Sequence, residues 1–421
     1  MEKPIFNVLN YFSATMNHYA FYLSNFENKQ GLITQIRLGT FVKGIDTKNC
    51  ELYSEVALNS FIREEEIHGH FDVISSGAKK NLVKYSDGEK RKALLSYIIS
   101  KKPKYIIVDN ILDNLDINAQ AEIVKTLHSL KESITILQIA NRKSDILDFI
   151  ENIYVQNGTS WEVISRMNME EVVDIRPAYV IPDTYEKIEV SGDSLVKLKN
   201  VFVAYDGVPI VKNIYWEVQK GEFWQMKGPN GVGKSTILSL ISGDNARAYG
   251  QDITLFGVKK GGGESIWELK KKVGYFSSEL KRGFQRRESI EKMILSGFFD
   301  SIGLYTQPSK RQIEITVQWL DLLGLYEIRK KNFSSLTLGQ QRMILIARAM
   351  VKHPPLLILD EPTAGLDDHA ALLFTQLINK ISKETETSII YVSHRKEKGL
   401  EPTYIFELFP TESGAIGKIQ Q

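Results

Sequence analysis

The sequence is nearly without cysteine. Cys50 is its one thiol, so no disulfide can form within the chain, and a reducing, cytoplasmic setting is expected. Long apolar runs are also missing: no stretch approaches the roughly 20 residues that span a bilayer. Residues 1–23 are aromatic, but Asn7, Asn10, Asn17 and His18 interrupt them. With neither a basic leading segment nor a continuous apolar core, they do not read as a signal peptide. Charge of one sign is not in excess either. The 53 Lys and Arg against 51 Asp and Glu leave a net charge of +2, which gives no strong attraction to nucleic acid or an anionic membrane. Lys270-Lys271-Lys272 and Arg286-Arg287 accordingly read as solvated faces. Metal-ligand spacing is absent as well. His68-Gly69-His70 has no cysteine or further histidine beside it, and its central glycine favours a surface turn.

What is present is an ordinary globular composition, 43% hydrophobic and 25% charged over 421 residues, with room for two or three domains. Residues 1–80 carry no motif. Residues 33–42 could hold a strand and 53–66 a helix, with Glu64-Glu65-Glu66 on its solvated face. From Tyr85 the pattern sharpens. Ser86-Asp87-Gly88-Glu89 leads into an apolar helical run, followed by Pro103 and a buried-type strand, Tyr105-Ile106-Ile107-Val108, that ends at Asp109. A helix over 119–130 and a strand over 134–139 follow. Strands alternating with helices predict a parallel sheet covered on its faces. Residues 167–193, with Pro177, Pro182 and Ser191-Gly192-Asp193, read as a linker. Beyond it, Leu195–Leu198, Val201–Val203 and Ile214–Val218, with a turn at Asp206-Gly207, carry an antiparallel signal.

The chain is organised around Gly228-Pro229-Asn230-Gly231-Val232-Gly233-Lys234-Ser235-Thr236, which fits the phosphate-binding pattern G-x-x-x-x-G-K-[ST]. The residues before it, 222–226, read as a strand. After it, Ile237, Leu238, Leu240 and Ile241 recur at helical spacing, and Gly243 is placed to cap the helix. Glycines let backbone N–H groups turn toward a phosphate, and the helix N-terminus adds partial positive charge there. In this pattern Lys234 reaches the β- and γ-phosphates and the Ser235 hydroxyl takes a place on Mg²⁺. Further on, Leu356-Leu357-Ile358-Leu359 is a buried-type strand ending in Asp360-Glu361. Such strand ends are where α/β sheets place ligands. Asp360 suits Mg²⁺, and Glu361 suits orienting or deprotonating a water.

The two halves repeat each other. Ser86, Gly88, Arg91, Pro103, Asp109, Leu115 and Asp116 have counterparts Thr337, Gly339, Arg342, Pro354, Asp360, Leu366 and Asp367, each 251 residues later. Asn141-Arg142-Lys143 matches His394-Arg395-Lys396 at an offset of 253. Counting 251 back from Lys234 falls before Met1, and no G-x-x-x-x-G-K occurs in residues 1–84. The first copy is therefore expected to be truncated and to lack its phosphate loop. Asn110 stands in it at the place of Glu361, and Asn141 at that of His394.

The phosphate loop, Leu336-Thr337-Leu338-Gly339-Gln340-Gln341-Arg342, Leu359-Asp360-Glu361-Pro362-Thr363, Gly365-Leu366-Asp367 and Val392-Ser393-His394 together resemble the ordered motifs of an ABC-type ATPase. The tandem layout, with Trp216-Glu217-Val218, Thr254-Leu255-Phe256-Gly257 and the run Ile294-Leu295-Ser296-Gly297-Phe298-Phe299-Asp300, is similar more narrowly to the molybdenum-transport and photorepair (ModF/PhrA) type. The resemblance implies an α/β P-loop fold in two copies, with a parallel-sheet core, an antiparallel β subdomain and a helical subdomain. It implies domains over 1–166 and 194–421. It assigns ATP to Gly228, Asn230, Gly231, Gly233, Lys234, Ser235 and Thr236, and Mg²⁺ to Ser235 and Asp360. Glu361, His394 and Lys234 are the catalytic set. Tyr205 stacks on adenine in this pattern; the alternative is one more strand aromatic. Ser86 and Gly88, or Thr337 and Gly339, face nucleotide held by an opposing copy.

Two departures stand out. Ser278 occupies the place of a glutamine that senses Mg²⁺ and couples to transport subunits, and Leu338 replaces a signature glycine. The expected function is an ATPase with one composite site, made by Lys234, Asp360, Glu361 and His394 with Ser86 and Gly88, that energises or regulates transport. The alternative is a nucleotide-dependent interaction module with little turnover. A membrane permease or other protein is the expected partner, reached from the cytoplasm, and the copies pair within one chain or between two.

Overall fold

In a computed structural model, the described residues are 17–24, 29–39, 49–69, 82–113, 115–157, 160–164, 180–263, 265–277, 288–395 and 397–420. The chain divides into two compact units, Met1–Val172 with Gly365–His369, and Val173–Ala364 with Ala370–Gln421.

The first unit contains β1 (Tyr19–Tyr22), α1 (Lys29–Arg37), β2 (Cys50–Ser54), α2 (Glu55–His68), α3 (Asp87–Ser100), β3 (Tyr105–Asp109), α4 (Ile117–Leu130), β4 (Thr135–Ala140), β5 (Asn152–Asn157) and β6 (Ser160–Ile164). Its sheet runs β2-β3-β4-β1-β5-β6. The first five strands are parallel and β6 returns antiparallel. Alternation along each strand feeds two cores. Ile106, Val108 and Ile136 pack with Leu94, Ile98 and Ile123. Ile107, Leu137 and Ile139 pack on the opposite side with Leu32, Ile33 and Ile36.

Three local expectations are corrected here. Residues 29–37 are helical, not extended: Leu32, Ile33 and Ile36 are buried at helical spacing, which a β-rich composition disguised. Tyr53 closes a strand, and the helix begins only at Glu55, after Ser54 caps it by accepting from the Ala57 N–H. Glu65 is buried, not solvated; its Oε2 accepts from the Leu82 N–H at 2.8 Å. Gly69 caps α2 in the left-handed region, in agreement with a turn at His68-Gly69. His70, residues 167–179, Ser278, Arg286, Arg287 and Lys396 lie outside the described residues.

The second unit contains β7 (Ser194–Tyr205), β8 (Val208–Gln219), β9 (Phe223–Lys227), α5 (Lys234–Ser242), β10 (Asp252–Leu255), β11 (Val258–Lys259), α6 (Ile266–Lys272), β12 (Val273–Ser277), α7 (Ile290–Leu295), α8 (Lys310–Leu322), α9 (Leu338–Met350), β13 (Leu356–Asp360), α10 (Asp368–Glu384), β14 (Ser388–Val392), β15 (Tyr404–Phe409) and β16 (Ile416–Gln420). One sheet is antiparallel, β11-β10-β7-β8, and the other runs β12-β13-β14-β9-β15-β16. Asp206 and Gly207 both take positive φ, the turn that suits a two-residue hairpin between β7 and β8. Trp216 of the antiparallel sheet stacks on Phe406 at 4.5 Å and meets the edge of Trp224 at 5.6 Å. The two sheets thereby share one core. Residues 180–193 pack on this unit: Ile181 is buried and its N–H donates to Glu384.

The larger sheets of the two units match strand for strand. Tyr19 of β1 pairs with Leu137 as Trp224 of β9 pairs with Ile390. Thus β1 is the counterpart of β9, only 205 residues earlier. By this pairing, the segment that follows Tyr22 corresponds in order to the one that follows β9, where a constant offset of 251 does not place it. A uniform offset misled because the intervals that hold β10, β11, α6, α7 and α8 in the second unit are shorter in the first.

Candidate functional site

The second unit gathers most of the expected site residues at one end of its parallel sheet. Strand β9 lies between β14 and β15 and passes at Lys227 into the glycine-rich loop. Gly228, Gly231 and Gly233 have φ of 148°, 75° and 103°. A Cβ on Gly233 would lie 2.6 Å from the Val211 side chain, so both conformation and space demand glycine. Helix α5 then starts at Lys234 with no side-chain cap, which leaves its first N–H groups for an anion. The buried Lys234 Nζ donates to the carbonyls of Gly228 and Pro229, both at 2.9 Å. Asn230 and Ser235 are exposed along the loop, and Thr236 is half-buried. Tyr205, at the end of β7, is 40% exposed, and its hydroxyl accepts from Asn245 at 2.8 Å.

Strand β13 delivers the acids. Asp360 is its last residue and lies in register with Val392 of β14 and Ser277 of β12. Glu361 follows with φ 47°, and its N–H donates to the Val392 carbonyl at 3.0 Å. Holding a glutamate in the left-handed region costs free energy that surrounding structure must offset, a recurrent feature of working sites. The turn points its carboxylate to the loop after β14. Glu361 Oε1 lies 2.8 Å from Nε2 of His394, whose side chain is 7% exposed, although the two are not aligned as a hydrogen bond.

The signature positions serve the fold in both units. Ser86 caps α3 and Thr337 caps α9, each in a reciprocal box with Glu89 or Gln340. A Cβ on Gly88 would stand 3.0 Å from that of Ala119, and one on Gly339 2.8 Å from that of Ala370. These glycines let paired helices approach closely, a packing reason for keeping them that the sequence did not disclose.

In the first unit, the counterparts of the Glu361 and His394 positions keep the backbone and lose the chemistry. Asn110 has φ 43°, its N–H donates to Ile139 at 3.1 Å, and its Oδ1 accepts from the Asn141 N–H. The 205-residue offset sets Lys29 at the place of Lys234, with Leu23, Phe26 and Asn28 at those of the three glycines. Lys29 Nζ lies 3.0 Å from Oδ1 of the buried Asp109. No glycine marks this lysine in the sequence; the apolar run Tyr19–Tyr22 ahead of it is its one local signal. Replacing Lys29 by Met keeps the stem but strands a buried carboxylate. Because Lys29 is 39% exposed, we expect a loss of about 1–2 kcal/mol rather than that of a fully buried pair. Thermal unfolding followed by circular dichroism reads it. K29M with D109N should recover the loss, and an unchanged transition in K29M alone would show that the pair holds nothing.

The family described as "ABC transporter" matches residues 211–364. The ABC transporter ATP-binding protein ModF of Escherichia coli (strain K12) is 38% identical over 328 residues, covering 74% of this chain and 67% of that protein. This chain thus spans about two thirds of that relative's length. YlmA of Bacillus subtilis (strain 168), an uncharacterised ABC transporter ATP-binding protein, is 35% identical over 205 residues, 48% of this chain and 77% of the relative. Among solved structures, a ribosome-bound archaeal Pelota and ABCE1 assembly covers 96% of this chain and 74% of its own, with a TM-score of 0.63 at 16% identity. That likeness concerns the fold and extends over both units.

Proposed function

This chain belongs to the tandem ABC-type ATP-binding proteins, and from that premise we propose that it hydrolyses ATP to ADP and phosphate at one composite site. The observation that carries the reading is the Glu361 carboxylate 2.8 Å from His394, on the same sheet end as an uncapped, glycine-loop helix. The residues fit the ligand by their chemistry. Lys234 and the loop N–H groups suit phosphates, and Ser235 and Asp360 are the oxygen donors that Mg²⁺ prefers. Magnesium, when bound, neutralises phosphate charge and polarises the phosphoryl group. Glu361 takes the proton of the attacking water, His394 holds that water and the γ-phosphate in place, and Tyr205 receives the adenine face. Ser86 and Gly88 of the first unit complete the site with a hydroxyl and backbone N–H groups.

No helix among the described residues is long and apolar enough to cross a membrane. We place the chain in the cytoplasm, acting through a partner protein. A serine at position 278 argues against ordinary coupling to a permease. A second reading, a nucleotide-dependent interaction module with little turnover, is favoured by one observation. Ser86 and Gly88 already have fold roles, so their presence need not reflect nucleotide contact.

Paired substitutions test whether Ser86 and Gly88 complete the site. Ser86→Arg and Thr337→Arg each remove the same kind of helix cap, so lost capping is matched between them. Ser86→Arg should lower turnover roughly 10–100-fold with ATP affinity nearly kept, because donors to a developing charge act mainly in the transition state. Thr337→Arg should stay within about threefold. Equal losses would replace the intramolecular site with one completed by Thr337 and Gly339 of a second copy.

A further inference from the structure

We infer that Glu397 is a positioning residue for the Glu361 and His394 pair, an inference that rests on the ATPase reading above. Glu397 is 7% exposed and lies three residues beyond His394. Its Oε1 accepts from the hydroxyl of Thr363, which is 3% exposed and lies two residues beyond Glu361. The Thr363 hydroxyl also lies 3.3 Å from that of the fully buried Tyr391 on β14. A hydroxyl has one proton to give. Thr363 gives it to the carboxylate, so Tyr391 donates to Thr363, and the chain runs from Tyr391 through Thr363 to Glu397.

This chain ties together the segment after β13, which carries Glu361, the end of β14, and the loop that carries His394. The far side of that loop is held from α10. The Thr375 hydroxyl donates to the Lys398 carbonyl at 3.3 Å, and the Asn379 amide donates to that of Gly399 at 2.5 Å. On the near side, the Arg395 N–H donates to Ser393 at 3.0 Å. Besides the approach of His394 to Glu361 itself, Glu397 links the loop to the Glu361 segment through Thr363. A buried carboxylate is a costly way to fill space, and apolar residues of like size usually stabilise as well. A directional acceptor is what the site gains: it fixes how far His394 stands from Glu361, and displacements near 1 Å at a reacting centre can cost about a hundredfold in rate.

The test compares kcat and KM for ATP in the parent, Lys234→Ala, Thr363→Val, Glu397→Ala and Glu397→Gln. Thr363→Val keeps the shape of the side chain and removes only the hydroxyl. We expect T363V and E397A to lower kcat roughly 10–50-fold with KM within about threefold, because neither residue belongs to the phosphate loop. E397Q keeps an acceptor for Thr363 and should return to within a few-fold of the parent. A purely structural role would lower active fraction in all three, E397Q included, or shift KM with kcat, and would overturn the inference. So would T363V and E397A with kcat within about twofold of a parent that does turn over. A parent with no Lys234-dependent turnover sinks the ATPase reading, and this role falls with it.

Discussion

Glu361→Gln hydrolyses ATP about a thousandfold more slowly than the parent while binding it as tightly. Glutamine matches the size of glutamate and tolerates the φ of 47° equally, so the turn after β13 and the backbone bond to Val392 persist. What goes is the proton acceptor beside His394. General-base catalysis is typically worth about 10²–10⁴-fold, and a thousandfold loss corresponds to about 4 kcal/mol of barrier. Binding is spared because the loop N–H groups, Lys234 and Ser235 are untouched, and removing a negative charge near the phosphates does not weaken attraction to them. Phosphate release under saturating ATP reads the rate, and equilibrium titration reads the affinity. Hydrolysis at the parental rate would refute the role given to Glu361.

Lys234→Ala abolishes ATP binding, and the parent binds one ATP per chain. Lys234 is buried and makes two bonds to loop carbonyls at 2.9 Å. Its loss removes both the closure of the loop and the cation that meets the β- and γ-phosphates. No saturable binding should appear at about a hundred times the parental Kd, a loss of at least about 2.7 kcal/mol. The first unit is not expected to supply a substitute. Its lysine at the corresponding place pairs with Asp109, and the positions of the three glycines hold Leu23, Phe26 and Asn28. Titration with Mg²⁺-ATP decides: two equal tight sites in the parent, or half-stoichiometric binding left in K234A, would sink the assignment.

These expectations draw on different levels of the molecule. The glycine loop, the strand 356–360 ending in two acids, the β7 and β8 hairpin and the repeat of α3 to β4 in α9 to β14 were legible from residues alone. Each is specified locally, by φ requirements at glycine, by unbroken apolar runs in strands buried on both faces, or by turn residues at fixed spacing. Local pattern could not decide what depends on partners far along the chain. Residues 29–37 became a helix because Leu32, Ile33 and Ile36 have the opposite face of β3 and β4 to cover. Glu65 is buried because the Leu82 N–H needs an acceptor. Strand pairing alone revealed β1 as the partner of β9, since unequal deletions between β1 and α3 broke the constant offset that counting relied on. The bonds from Tyr391 to Thr363 to Glu397 join residues that share no motif. Hydrogen bonds between side chains depend on where strand ends and loops meet in space, and a one-dimensional pattern carries no information about that meeting.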